Sequence, residues 1–426
     1  MSLLNDLDRL DAMDAQDPLA DFRGRFYLKP DTLYFDGNSL GLLSRDAERS
    51  VLEVLDAWRD LAIDGWTGAQ RPWFHLGEDL GDAQCELVGA KPGEVVVTGA
   101  ITTNLHSVLA SFYEPQPGRT RIVADELDFP SDLYAMQSHL RLRGLDPKEH
   151  LLLVKSRDGR TIDERDVVAI LDRPDIAFVW LPSVLYRSGQ LLDIPRLTAA
   201  AHARGVLIGF DCAHSAGSVP HRLHDWGVDV AVWCNYKYLN AGPGAVGSLY
   251  VHQRHHRRGP GLAGWWGSNK QRQFDMEPWL TPADTAAAWQ ISTPSVLGAA
   301  ALYGSVAILQ QAGLQALREK SLALTSLLID LCDTHLSPLG FVVGTPREPE
   351  RRGGHVALEH PHAASITRAL KARGVVPDFR PPNVVRLAPV PLYTRYADVG
   401  QLVLTLKSIV ESGEHLQFAN ERAAVA

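Results

Sequence analysis

From about Glu94 to Cys234 the chain alternates short apolar runs with stretches whose apolar positions recur at helical spacing. The runs are VVVTG from Val95, RIVAD from Arg121, HLLLVK from His150, IAFVWLPS from Ile176, VLIGFD from Val206 and VDVAVW from Val228. Between them lie ITTNLHSVLASFY, SDLYAMQSHLRLRG, DERDVVAILD and DIPRLTAAAHARG. Fully apolar runs of this length, separated by helices, predict a parallel sheet covered on both faces. The fold class is therefore α/β, with a doubly wound large domain.

The flanks have a different texture. Leu3, Leu4, Leu7 and Leu10 predict a short amphipathic helix, and Glu48 to Ile63 a second one. Near Ala300 a long helical stretch runs from Gly298 to Leu336. It is followed by GFVVGT, GGHVALEH, a helix around Ala364 to Arg373, and NVVRLAPV. A few strands with helices on one side predict a smaller α+β domain.

Composition narrows the function classes. A formal net charge of -8 disfavours a nucleic-acid partner, which calls for a basic stripe. The one basic cluster, HQRHHRRG from His252, reads as a solvated loop. Cys85, Cys212, Cys234 and Cys332 have no CxxC spacing, which predicts a reducing compartment and no zinc or other metal site. The N-terminus lacks a basic start and an apolar stretch, and no uncharged apolar run approaches the ~20 residues of a membrane span. A cytoplasmic protein without a membrane partner is expected.

In a parallel α/β sheet ligands gather at the carboxyl ends of the strands. After VVVTG come Ile101, Thr102 and Thr103, opening a helix. They read either as helix caps or as part of a phosphate cradle. Asp211 ends VLIGFD, as a turn residue or as a functional carboxylate, with His214 three residues on. Lys237 follows the next run, in CNYKYLNAGPG. A lysine there either snorkels to water or forms a covalent bond. Together, a cradle, an acid and a lysine in this order suit pyridoxal phosphate, which needs an amine, a partner for its pyridine nitrogen and a phosphate site.

The segments FDGNSLG, TTNLHSVLASFY, DFPSDLYAMQSHLRLRG, GFDCAHSAGSVPHRLHDWGVDVAVWCNYKYLNAGPG, GWWG and RLAPVPLYTRYADV resemble kynureninase, a hydrolase family of the fold-type I pyridoxal-phosphate superfamily. The resemblance runs from about residue 30 to about residue 410. It implies a large domain over 46–300 with a mostly parallel seven-stranded sheet. It also implies a small C-terminal domain over 301–426, with segment 1–45 packed against it. It further implies that Lys237 carries the cofactor and that Asp211 faces the pyridine nitrogen, with His214 beside it. Ile101, Thr102, Phe129, Pro130, Ser131, Asp132, Ser183, Tyr236, Trp265 and Thr293 match further cofactor contacts, Phe129 as a stacking ring. Arg386 matches the clamp on the substrate α-carboxylate.

The implied reaction is hydrolytic Cβ–Cγ cleavage of L-kynurenine to anthranilate and L-alanine in tryptophan catabolism. Lys237 moves the Cα proton, and Tyr236 serves as a proton donor or only as a phosphate ligand. Trp66, unless it simply packs, and Thr293 resemble the bacterial type, which favours kynurenine over its 3-hydroxy derivative. A homodimer with active sites at its interface is implied as well. A cysteine desulfurase shares the fold and cofactor but needs a nucleophilic loop cysteine late in the chain. Only Cys332 lies there, within a helical run. A plain aminotransferase and a catalytically silent scaffold are the remaining alternatives.

Overall fold

The computed structural model describes residues 3–421, with side chains from Arg9. A seven-stranded sheet runs, edge to edge, Val95–Val97, Ser248–Val251, Val230–Trp233, Leu207–Asp211, Ile176–Pro182, Arg121–Asp125 and Leu151–Val154. All pairs are parallel except those of Ser248–Val251, which is antiparallel to both neighbours. This strand is not among the apolar runs above: it follows a glycine-rich loop closely and opens on a serine.

Successive residues of each central strand enter different cores. Val179 and Leu181 pack on one face of the sheet, and Phe178 and Trp180 on the other. Two-sided burial is the reason the run is apolar throughout. Each such side chain contributes about 1.5–3 kcal/mol of burial. Register then aligns the strand ends, pairing Pro182 with Asp211 and Asp211 with Val232.

The small domain has a four-stranded antiparallel sheet, Asp378–Arg380, Val384–Leu387, Val356–Glu359 and Val342–Val343 in order. Helices Leu314–His335, Ala363–Ala372 and Tyr396–Glu411 share its core. The N-terminal segment joins this domain. Strand Leu33–Tyr34 pairs in parallel with Val375–Val376, and the Asp14 carboxylate accepts from the N–H groups of Tyr396 and Ala397.

The long helical stretch is two helices, Val296–Ala312 and Leu314–His335, bent by 79°. Gly313, at φ +77°, makes the break, a backbone state that other residues adopt only at a cost. Leu302, Val306 and Leu309 belong to the core of the large domain, so a division at 300/301 cuts through a helix of that domain. The structural break falls at Gly313. Among the described residues no single helix is long and apolar enough to cross a membrane.

The basic run from His252 is not simply solvated. Arg254 and His255 turn inward to the Asp229 carboxylate at 2.5 and 2.7 Å, and that carboxylate is fully buried.

Candidate active site

A cavity of about 220 Å³ opens at the carboxyl ends of the parallel strands. Lys237 enters it from the loop after Val230–Trp233, with its side chain half-buried. The loop turns back on itself, Asn240 N–H donating to the Lys237 carbonyl at 3.0 Å and Ala241 N–H to that of Asn235 at 2.9 Å. Gly41 of FDGNSLG lies hard against this turn. A Cβ there would sit 2.4 Å from the Lys237 carbonyl oxygen, so only glycine permits the approach.

Asp211 ends its strand at the cavity floor. Its Oδ1 accepts from Ala213 N–H at 2.7 Å, and its carbonyl from the Ser183 N–H at 2.8 Å and hydroxyl at 2.9 Å. Lys237 Nζ lies 3.0 Å from His214 Nε2. Burial and the nearby cations Lys237 and Arg386 hold His214 well below the ordinary histidine range. The imidazole is neutral and can accept.

Beneath the floor Asp132 is fully buried, its Oδ2 accepting from Trp180 Nε1–H at 2.8 Å. Burial, and then the Asp211 charge, push Asp132 well above the carboxylate range. Burial also raises Asp211, while the Lys237 charge and the hydrogen bond from Ala213 N–H oppose that rise. Both carboxyls are raised by burial, and it is Asp211 that the Lys237 charge and the Ala213 N–H favour in its charged form.

Two helix N-termini meet at the opposite wall. The helix Ile101–Phe112 starts after Ala100 with no side-chain cap, and Pro130–Leu142 starts after Phe129 in the same way. The Thr102 hydroxyl is not a cap: it lies 2.5 Å from the Ser131 hydroxyl of the second helix. Free N–H groups and two hydroxyls at a helix start suit a phosphate. Phe129, 43% exposed, lines the cavity beside Tyr186, with ring centres 5.3 Å apart edge to face.

Arg386 forms the far wall from the small domain and is 1% exposed. It donates to the Tyr186 carbonyl at 2.7 Å and to Ser39 Oγ at 2.9 Å, and it pairs with Asp378.

Of the residues singled out from the sequence, Ile101, Thr102, Phe129, Ser131, Asp211, His214, Tyr236, Lys237 and Arg386 line this cavity. Asp132 and Ser183 lie beneath it, Ser183 Oγ 2.7 Å from Ser215 Oγ, and Pro130 opens its helix without lining the wall. Trp66, Trp265 and Thr293 are not brought there by a single chain. Each sits on a connecting segment outside the sheet. Trp66 packs against Trp73 and Trp266 at 5.7 and 5.3 Å, and Trp265 and Thr293 are exposed.

The lining also includes Asn38, Ser39, Asp128, Tyr186 and Arg380, which sequence reasoning left unassigned. Asn38 is fully buried, and neither end of its amide has a hydrogen-bond partner. The polar pair Asn38–Ser39 inside FDGNSLG was the only signal for it.

Glu94, His224 and His252 form a group with metal-like spacing. Its donors are used internally. Glu94 accepts from Lys91 N–H, Gln253 N–H and His224 Nδ1, and His252 Nδ1 accepts from Arg254 N–H.

Comparison with known proteins decides the family. The chain is 57% identical to the kynureninase of Bacillus cereus (strain ZK / E33L) over 97% of its own length and 96% of that protein's. It is 53% identical to that of Geobacillus thermodenitrificans, with the same coverage. The chain belongs to the kynureninase family.

A profile of the kynureninase C-terminal domain matches residues 317–406. Among solved structures, the fold resembles the apo cysteine desulfurase of Thermococcus onnurineus NA1. The TM-score is 0.78 at 19% identity, over 92% of this chain and 98% of that one. It also resembles a C-DES mutant with glycine covalently linked to the PLP cofactor, with a TM-score of 0.79 at 18% identity over 90% and 98%. These distant likenesses establish the fold-type I architecture. Cys332, the late cysteine on which the desulfurase alternative depends, is fully buried inside the helix Leu314–His335, and burial raises its thiol. It is not a nucleophile.

The residues present fit pyridoxal phosphate. An amine and a buried acid converge on one cavity, uncapped helix starts face it, and an unpartnered amide lines it.

Proposed function

We propose that the chain hydrolyses the Cβ–Cγ bond of L-kynurenine, giving anthranilate and L-alanine, with pyridoxal phosphate held on Lys237. The observation that carries the reading is that Lys237, Asp211 and Arg386 line one cavity, brought there by the two domains. When bound, pyridoxal phosphate supplies the electron sink that acidifies the Cα proton and activates the β-carbon.

The rest falls to the chain's own residues. Arg386, its guanidinium already oriented by Ser39 and the Tyr186 carbonyl, receives the substrate α-carboxylate in a planar, two-pronged contact. The N–H groups at Ile101, with Thr102 and Ser131, receive the phosphate. Asp211, its charge favoured by Lys237 and the Ala213 N–H, holds the pyridine nitrogen protonated. Lys237 takes the Cα proton and returns one, with His214 Nε2 accepting from its amine. Water adds across the γ-carbonyl. The Cβ–Cγ bond then breaks with its electron pair on Cβ, and anthranilate leaves. Tyr236, whose phenol burial keeps protonated, supplies the proton to Cβ.

The site is completed by a second copy of the chain. Trp66 lines an open groove with the exposed Trp58, Ile63 and Leu297, and Trp265 lines another with the exposed Trp279, apolar surfaces of the kind a partner covers. From the partner, Trp66 and Thr293 bound the aryl ring and favour kynurenine over 3-hydroxykynurenine. The four unpaired cysteines suit the cytoplasm.

The test is anthranilate fluorescence from purified protein with pyridoxal phosphate and L-kynurenine. Signal that disappears in Lys237→Ala is expected. A folded, cofactor-loaded protein that releases no anthranilate overturns the reading. The same assay with 3-hydroxykynurenine ranks the two substrates.

A further inference from the structure

His355 is fully buried immediately before the strand Val356–Glu359; its ring nitrogens make no hydrogen bond of ordinary geometry, the Arg187 backbone being the one acceptor that faces the ring. It meets His214 edge to face, with ring centres 5.6 Å apart. His214 Nδ1 is likewise buried and unpartnered, while Nε2 lies 3.0 Å from Lys237 Nζ.

These contacts constrain the proton on His214. An ammonium has only donors, so a protonated Lys237 requires the lone pair on His214 Nε2. The imidazole proton then sits on Nδ1. A buried N–H without an acceptor is costly. The charged groups that face the two rings are Lys237, Arg386 and Arg380, all cations, and they offer no acceptor. The same cations and burial keep His355 neutral, so one of its nitrogens carries a free lone pair.

We propose that His355 is a positioning residue for Lys237: it accepts from His214 Nδ1–H through one bridging water, and so fixes the tautomer that presents Nε2 to the lysine amine. This is the logic by which a second partner orients a functional imidazole elsewhere. It draws the small domain into the chemistry, because His355 precedes a small-domain strand while His214 and Lys237 belong to the large one. The inference rests on Lys237 being the cofactor lysine.

The experiment follows the rate at which apo-protein combines with pyridoxal phosphate, read by absorbance across pH and without substrate. His355→Phe keeps an aromatic ring and deletes both nitrogens; His355→Gln restores an acceptor. The Phe variant is expected to shift the midpoint of the pH–rate curve by about one unit, and the Gln variant to return it toward wild type. A folded Phe variant with an unchanged midpoint overturns the proposal. A second measurement needs neither variant nor cofactor: nitrogen-15 NMR of histidine-labelled apo-protein. A proton on His214 Nδ1 is expected, and a proton on Nε2 overturns the proposal. Failure of the wild type to combine with pyridoxal phosphate counts against the proposed function instead, while the tautomer still decides this inference.

Discussion

Arg386 donates to Ser39 Oγ at 2.9 Å, joining a small-domain strand to a loop 347 residues earlier in the chain. With the Tyr186 carbonyl and Asp378, this contact holds a fully buried guanidinium in one orientation before substrate arrives. Pre-orientation lowers the ordering cost of binding.

Ser39→Ala removes one of these contacts and leaves a guanidinium nitrogen short of an acceptor. KM for L-kynurenine is expected to rise roughly tenfold, by the worth of one charged hydrogen bond, with kcat less affected. Arg386→Lys keeps the charge and loses the fork, so its KM increase is larger. Steady-state kinetics on the three proteins reads this directly, and an unchanged KM in Arg386→Lys removes Arg386 from the carboxylate site.

Asp125 ends the strand Arg121–Asp125 fully buried, and burial pushes its carboxyl up to about 7. Between about pH 4 and 7 the folded chain keeps a proton that the unfolded chain has released. The contribution to stability is therefore greatest at low pH and is lost as pH rises through that window. Asp125→Asn cannot titrate. Its melting temperature relative to wild type is expected to improve from pH 5 to pH 8 in apo-protein, and a constant difference contradicts the assignment.

Asp229 carries the opposite sign. It is buried among His202, His255, Arg254 and the Ile208 N–H, and these partners outweigh burial and hold it below the ordinary carboxylate range. Its contribution is present above the unfolded value of about 4 and is lost as pH falls. Asp229→Asn is expected to cost about 2 kcal/mol near pH 7, less than a wholly buried pair because Arg254 is partly exposed. Urea unfolding should show the deficit shrinking below pH 4.

Chains carrying Lys237→Ala lack the amine, and chains carrying Trp265→Ala lack the ring assigned to the neighbouring site. If the partner supplies Trp265, mixing and re-associating the two variants rebuilds one intact site per mixed dimer. Anthranilate production above that of either variant alone is the expected result. No recovery from mixed dimers demonstrated by differential tagging places Trp265 in its own chain's chemistry.

The sequence alone determined what is local. Val179, Leu181, Phe178 and Trp180 are apolar because both faces of their strand are covered, so the run announces a central strand without knowledge of its neighbours. Asp211 and Lys237 were legible for a related reason: each immediately follows or ends such a strand, and parallel strands deliver their carboxyl ends to one side. The antiparallel strand Ser248–Val251 and the break at Gly313 were not legible, one opening on a serine straight after a glycine-rich loop and the other a single residue inside a continuous helical pattern. What only the tertiary structure decided is convergence. Asn38, Ser39, Arg380 and His355 come from three stretches far apart in the chain, and nothing in their local spacing says that they meet. Their meeting depends on strand register and on the packing of the small domain over the large one. Hydrophobic periodicity encodes the face each element buries; the partner that covers it is set by the whole fold.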